Sequence, residues 1–192
     1  SLWNRRVTAG LTVVAIGLSV ALLLCVETVR RDARESFANT VSGTDLIVGA
    51  RSGSLPLLLY SVFRIGNATN NVSWQSYQKF ADDRRVRWAV PLSLGDSHRG
   101  FRVLGTTAAY FLHYRYASRQ RLSFAHGKPF AERFEVVLGA SVAQQLGYQL
   151  GDEITLSHGQ GVLELERHDA FKFSVKGILA RTGTPVDRTV HV

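Results

Sequence analysis

The sequence predicts an α+β protein in which one N-terminal transmembrane helix precedes a mixed α/β domain. An uncharged apolar run extends from Val7 to Val26, and several later segments alternate apolar and polar residues as half-buried strands do. Short segments of helical spacing lie between those strands, and Gly- and Asp-containing turns separate them. With 45% hydrophobic and 20% charged residues, the chain has the composition of a folded protein rather than a disordered one.

The apolar run Val7–Val26 has the length of a membrane span. Its 20 residues, at a rise of about 1.5 Å each, cover about 30 Å, the thickness of a bilayer's hydrocarbon core. Trp3 stands before the run as an interfacial aromatic residue, with Arg5 and Arg6 next to it. A buried core helix and a cleaved signal peptide are the alternatives, but a signal peptide has a shorter apolar run and a small-residue cleavage site. Because long domains cross membranes with little regard to flanking charge, we expect the following domain outside the cytoplasm.

The helix is predicted to continue beyond the membrane as a stalk. Apolar residues recur at spacings of three and four, with charged residues between them. We therefore expect a helix that reaches about Val41 and packs this stripe on the following domain or on a partner helix. The candidate packing residues are Val26, Val29, Ala33 and Phe37.

The segment after the stalk begins with Gly43, which ends the helix. Asp45–Gly49 reads as a short buried strand, and Ser52–Asn71 as a Gly-, Ser- and Asn-rich loop with an apolar patch. That patch either folds against the domain or meets lipid or a partner. Its candidate interaction residues are Leu57, Leu58, Leu59 and Phe63.

The remaining pattern predicts two helices and seven strands, with a turn at Asp96–Gly100. The predicted helices are Ser73–Arg85 and Ser141–Leu146, the latter closed by Gly147. The predicted strands are Val86–Leu94, Phe101–Gly105, Phe134–Leu138, Ile154–Leu156, Val162–Leu165, Phe171–Leu179 and Asp187–Val192.

The sequence offers no convincing catalytic, cofactor or metal site. Gly139-Ala-Ser141 follows a strand and opens a helix, as a nucleophile elbow would, but Ala143 replaces the final glycine of that motif. The competing interpretation is that Ser141 and Gln144 form a capping box at the helix start. The six histidines contain no i,i+4 pair and have no accompanying cysteine, so a zinc site is not expected. Gly127-Lys128 is followed by proline, so no phosphate-binding loop is predicted.

The net charge of +8 suits either nucleic acid or an anionic membrane surface. The arginines are spread along the chain rather than concentrated on one predicted element. This distribution favours contact with membrane lipid and argues against nucleic acid as a partner.

The chain resembles the permease subunits of the MacB, LolC/LolE and FtsX group, which are transmembrane components of ABC systems. A membrane helix and an amphipathic stalk precede a domain whose segments 139–156 and 173–179 are similar to the periplasmic core domain of that group. Segments 46–50, 65–74 and 182–191 are similar to one subgroup of permeases.

The resemblance implies a permease subunit that relays ATP-driven motion from a cytoplasmic ATPase to a periplasmic domain, with no catalytic residue or cofactor of its own. It implies a bacterial inner-membrane protein, multi-pass over its full length, of which this chain is a part. The expected partners are a cytoplasmic ABC ATP-binding subunit, a second permease subunit and membrane lipid, and a periplasmic or lipoprotein partner is a further candidate. A single-pass anchored sensor or adaptor, and a membrane-anchored hydrolase using Ser141, are the rival interpretations.

The resemblance also divides the chain. Residues 1–42 form the membrane helix and stalk, and residues 43–192 form an incomplete periplasmic core domain. The porter-like part is expected at about 43–107 and 187–192, and the β-rich, sabre-like part at about 108–184.

Overall fold

The computed structural model describes the backbone of residues 2–40, 42–66, 70–158 and 167–192. It also describes their side chains, except at 2–4, 33–39, 158 and 167–170. The chain divides into two compact units, Ser1–Ala38 and Asn39–Val192.

The first unit is helical throughout its described residues. Helix α1 extends from Leu2 to Thr40, a length of 39 residues without a break. Within it the hydroxyls of Thr12, Ser19 and Thr28 donate to the backbone carbonyls four residues earlier, at 2.8–2.9 Å. Because these hydroxyls are satisfied by their own helix, they are compatible with a surrounding that offers no water. The helix continues well past Val26, as the amphipathic pattern predicts.

The segment after α1 contains two short helices, α2 (Ser54–Ser61) and α3 (Trp74–Ala81). Two expectations for it are wrong. Asp45–Gly49 forms no strand and Leu46 is 76% exposed, because its apolar residues find no sheet edge to pair with. The predicted loop Ser52–Asn71 contains α2, since its closely spaced leucines suit a helix packed on one side.

Helix α3 begins where the sequence predicts but ends earlier. The hydroxyl of Ser73 accepts a hydrogen bond from the backbone N–H of Ser76 and caps the first turn. The chain then leaves the helix after Ala81, four residues before the predicted end at Arg85. The Asp83 carboxylate accepts hydrogen bonds from the backbone and side chain of Arg85, which fold the exit into a turn.

The second unit is built on a mostly antiparallel sheet. Its described strands are β1 (Ser93–His98), β2 (Phe101–Gly105), β5 (Phe124–Gly127), β6 (Glu135–Leu138), β7 (Glu153–His158), β8 (Arg167–Leu179) and β9 (Thr189–His191). They are arranged in the order β5-β8-β6-β9-β2-β1-β7, and β7 also pairs with β8, so six of the described strands form a closed ring. The pairs β2–β9 and β6–β8 are parallel, and the long β8 pairs with β7 along its first half and with β5 along its second.

The remaining elements of this part of the chain connect the strands. They are helix α4 (Ala109–His113), the small hairpin β3–β4 (Arg115–Tyr116 and Gln120–Arg121), helix α5 (Ala140–Leu146) and a 3₁₀ turn (Pro185–Arg188). Helix α5 ends at Gly147, whose φ of 71° is the left-handed conformation that glycine adopts most readily.

The sheet separates two apolar clusters, because alternate residues of a strand point to opposite faces. In β6, Val136 and Leu138 join the first cluster while Val137 joins the second. The first cluster is closed by Val142 and Ala143 of α5. The second is covered by α4, which buries two aromatic side chains, Tyr110 and Phe111.

Several strand predictions need correction. The alternating segment Val86–Leu92 is not a strand. Strand β1 begins only at Ser93 and ends at His98, so it includes the first three residues of the turn predicted at Asp96–Gly100. The predicted final strand at 187–192 is shortened, since the 3₁₀ turn occupies its first residues. The predicted strand Phe101–Gly105 coincides with β2. The segments Phe134–Leu138, Ile154–Leu156 and Phe171–Leu179 also fall on strands, which begin or end one to four residues away from the predicted bounds. The segment predicted at 162–165 lies outside the described residues.

The interpretation of Ser141 as a helix cap is also wrong. Helix α5 begins at Ala140 with Gly139 as its N-cap, and no side-chain hydrogen bond caps it. Ser141 therefore lies inside the first turn, where its hydroxyl cannot occupy the capping position.

Candidate membrane span and the junction after it

Helix α1 supplies the candidate membrane span. Among the described residues, Arg5–Asp32 is the stretch long and apolar enough to cross a bilayer, with a mean hydropathy of 2.5 over its most apolar part. Its apolar side chains have no protein neighbours to cover them, and Leu18 is 71% exposed. The predicted span Val7–Val26 lies entirely within this stretch.

The candidate stalk residues follow on the same helix. Val26 and Val29 are 58% and 68% exposed, and the side chains of Ala33 and Phe37 lie outside the described set. Between them Arg30 forms a bidentate ion pair with Glu27 at 2.7–2.9 Å, one turn earlier on the helix surface. Such an exposed pair contributes a few tenths of a kcal/mol to helix stability.

The apolar patch on α2 is partly buried. Leu57, Leu58, Leu59 and Phe63 are each half-buried. Leu57 packs directly over the backbone of Gly49, at a distance that would leave no room for a β-carbon there. The exposed apolar surface of this region lies on either side of the predicted residues, at Leu55 and Ile65.

The last residue of α1, Thr40, already belongs to the second unit and is held there by a tyrosine. The Tyr114 hydroxyl donates to the backbone carbonyl of Thr40 at 2.5 Å, and Thr40 is 4% exposed. Burial raises the pKa of the Tyr114 hydroxyl, so it stays protonated and able to donate. Beside it the backbone N–H of Ser42 donates to the Arg115 carbonyl at 3.2 Å. These two adjacent contacts fix the chain where it leaves the helix.

On its other side Tyr114 meets the loop 182–187. Thr184 lies beside the Tyr114 hydroxyl, and its own hydroxyl hydrogen-bonds to that of Thr182 at 2.8 Å. The buried Asp187 carboxylate folds this loop by accepting three hydrogen bonds of 2.8 Å, two from Thr182 and one from the backbone of Gly183. We call Thr40, Tyr114, Thr184 and Asp187 the junction.

A second group of buried polar side chains lies near the junction. Arg64 is 8% exposed and donates to the Ser61 carbonyl at 2.5 Å and to the Tyr110 hydroxyl at 3.4 Å. His191 is fully buried, and its Nδ1 lies 3.2 Å from the Val137 carbonyl. Burial, with the nearby charge of Arg64, lowers the pKa of His191 from 6.5 to about 3, so the ring is neutral.

His98 is a second buried histidine among the side chains that the structure describes, and it is also structural. The ring of His98 lies 2.6 Å from the Thr155 carbonyl through Nδ1 and 3.0 Å from the Tyr148 hydroxyl through Nε2. Burial lowers its pKa. In the described part of the chain, no group of three or more His, Cys, Asp and Glu side chains is arranged to hold a metal ion.

The sequence matches the MacB-like periplasmic core domain family over residues 9–192, nearly its full length. The chain belongs to this family. No curated protein matches it. Membership in the MacB-like family makes this a membrane-associated chain of ABC-permease type, and domains of this family are not themselves catalytic.

In this MacB-like chain the junction is the feature that the sequence did not reveal. Tyr114 and Thr40 are 74 positions apart, so no local spacing connects them. The one available signal was the segment 182–191, which resembles a permease subgroup. Its Thr182, Gly183 and Asp187 form the folded loop beside Tyr114.

Proposed function

We propose that this chain is part of a permease subunit that relays ATP-driven motion from a cytoplasmic ABC ATPase to a periplasmic domain. The observation that carries the proposal is the continuity of α1, which leads from the candidate span to the first residues of the second unit without a break. Membership in the MacB-like family supports it.

A continuous helix suits this role because it resists bending over its length. From Asp32, the end of the candidate span, to Thr40 the helix continues for about 12 Å at a rise of about 1.5 Å per residue. A displacement of the membrane part is transmitted along such a rod, whereas a flexible linker would absorb it. Val26, Val29, Ala33 and Phe37 are the proposed stalk-packing residues.

The proposed surroundings follow from the family. The partners are a cytoplasmic ATP-binding subunit, a second permease subunit and membrane lipid, and the location is a bacterial inner membrane. We propose that residues 1–42 are the membrane helix and stalk, that about 43–107 with 187–192 form a porter-like part, and that about 108–184 form a sabre-like part. The patch at Leu57, Leu58, Leu59 and Phe63 is a proposed contact for lipid or a periplasmic partner.

Breaking the rod tests the relay. Proline at position 30 removes one backbone hydrogen bond of α1 and clashes with the preceding turn, which kinks the helix. The full-length protein, purified with its ATPase in nanodiscs, carries a fluorophore on a cysteine at position 132, an exposed site of the domain. Energy transfer to acceptor-labelled lipid headgroups then reports movement of the domain when ATP binds.

We expect the ATP-driven change in energy transfer to be lost in Arg30→Pro and kept in Arg30→Ala. The alanine variant removes the same ion pair with Glu27 but leaves the helix intact, so it is the matched control. Membrane insertion should be unchanged in both. A wild-type complex that shows no change with ATP, or an Arg30→Pro variant that behaves as wild type, contradicts the relay.

A further inference from the structure

The covalent chain that follows α1 is poorly suited to transmit movement towards the sheet. Residues 42–53 contain no helix or strand, and Leu46 and Val48 are exposed. A segment without regular structure and with exposed apolar side chains opens and bends at low cost. A rigid connection between the end of α1 and the sheet therefore has to pass through non-covalent contacts.

Tyr114 provides such a contact at the end of the helix. The last carbonyls of an α-helix have no partner within the helix, and a buried one needs a donor from elsewhere. The Tyr114 hydroxyl supplies that donor to the buried Thr40 carbonyl. The ring itself packs against Tyr110 of α4, with centroids 4.9 Å apart, so the hydroxyl is held in place by the second apolar cluster.

The contact continues from Tyr114 into the centre of the sheet. Thr184 lies beside the same hydroxyl and caps the 3₁₀ turn by accepting from the Val186 N–H. That turn leads directly into β9, which lies between β2 and β6 and whose three residues are all buried. The Asp187 carboxylate keeps the loop folded through its bonds to Thr182 and Gly183. The Tyr114 hydroxyl that holds the helix end thus lies next to the hydrogen-bonded loop that leads into a central strand.

We propose that Tyr114 is the positioning residue that couples the end of α1 to the sheet, through the Thr40 carbonyl on one side and the Thr184 loop on the other. This inference rests on the proposed function and specifies where the relay enters the domain. It also assigns a role to the segment 182–191, which folds the receiving side of the contact.

Replacing Tyr114 by phenylalanine tests the coupling with little change in packing, since only the hydroxyl is lost. Tyr60→Phe is the matched control. Tyr60 is also half-buried at the edge of the second apolar cluster, but its hydroxyl bonds to the backbone of Leu94, at 2.5 and 3.0 Å, rather than to the Thr40 carbonyl. Both variants are measured in the full-length complex in nanodiscs with the fluorophore at position 132, together with their melting temperatures.

We expect Tyr114→Phe to lose at least half of the ATP-driven change in energy transfer, while Tyr60→Phe keeps it at a similar melting temperature. Equal loss in both variants would mean that the effect is general destabilisation, and this would overturn the assignment. A wild-type response in Tyr114→Phe, with Arg30→Pro still inactive, would overturn the assignment alone. Absence of any response in the wild-type complex would overturn the proposed function itself.

Discussion

Replacing Gly139 by alanine should be among the most destabilising glycine substitutions in the second unit. A β-carbon added there would touch the Val186 carbonyl oxygen and lie 2.5 Å and 2.6 Å from the carbonyl oxygen and carbon of Asp187. Ordinary contacts begin at about 3.4 Å, so these backbone groups would have to move by about 1 Å. The backbone angles of Gly139, φ −66° and ψ 152°, suit any residue, so the cost is steric alone.

The 3₁₀ turn cannot easily move away from an added β-carbon, because hydrogen bonds hold the chain both before and after the turn. The Gly139 N–H donates to the Thr189 carbonyl at 2.9 Å, and the Asp187 carboxylate holds the loop before it. Overpacking of this kind costs about 1–3 kcal/mol, and we expect Gly139→Ala near the upper end of that range. The assay is urea unfolding of the detergent-solubilised protein, followed by the fluorescence of its tryptophans.

Two other glycines make the comparison quantitative. Gly147 has a φ of 71° and open space around its α-carbon, so alanine there should cost about 1 kcal/mol for the left-handed conformation alone. Gly95 has open space and no positive φ, so alanine there should change the free energy of unfolding by less than about 1 kcal/mol. If Gly139→Ala lowers the free energy of unfolding no more than Gly95→Ala does, the steric cost assigned to position 139 is wrong.

Two further predictions concern acid sensitivity and membrane insertion. Because burial holds the pKa of His191 at about 3 against an ordinary 6.5, the unfolded chain takes up a proton below pH 6.5 that the folded protein refuses. The free energy of unfolding should therefore fall as the pH drops from 6.5 towards 3. His191→Gln should flatten this decline in urea titrations between pH 6.5 and 4.5. Part of the decline should remain in this variant, because burial also lowers the pKa of His98. Leu18→Arg places a charge in the middle of the span at a cost of about 2.5–3.5 kcal/mol, so the membrane-inserted fraction should fall in a translation assay with carbonate extraction. Leu150→Arg, in the second unit, should leave insertion unchanged, and equal insertion of both variants would contradict the assignment of the span.

The elements that the sequence predicted well are those whose signal is local. The N-terminal apolar helix is predicted by an uninterrupted run of apolar residues. Strands β2 and β6 are predicted by short apolar runs bounded by turn residues. Helix α5 is marked by the glycine that ends it. Each pattern lies within a few turns or one strand, so no knowledge of distant residues is needed.

The predictions that failed depend on what surrounds a segment. Val86–Leu92 alternates apolar and polar residues as a strand does, yet it forms no strand pair with the described part of the chain. Asp45–Gly49 is apolar enough for a buried strand but remains largely exposed. Pairing partners are supplied by the tertiary fold, so local pattern alone could not exclude a strand in either place.

The junction and the buried polar residues were beyond prediction for a related reason. Arg64 reads as a surface residue, because a buried guanidinium is rare and costly unless its donors are satisfied. His191 reads as a residue of a terminal strand with no special surroundings. Only the folded chain brings Arg64 and Tyr110, which are 46 positions apart, within hydrogen-bonding distance.

The most direct test of the central claim asks on which side of the membrane the second unit lies. A single cysteine at position 132, in a variant that has Cys25 replaced by serine and no other reactive cysteine, is treated with a membrane-impermeant maleimide in intact spheroplasts and in inverted vesicles. We expect labelling in the spheroplasts and protection in the inverted vesicles. Labelling confined to the inverted vesicles would place this unit in the cytoplasm and contradict a periplasmic location.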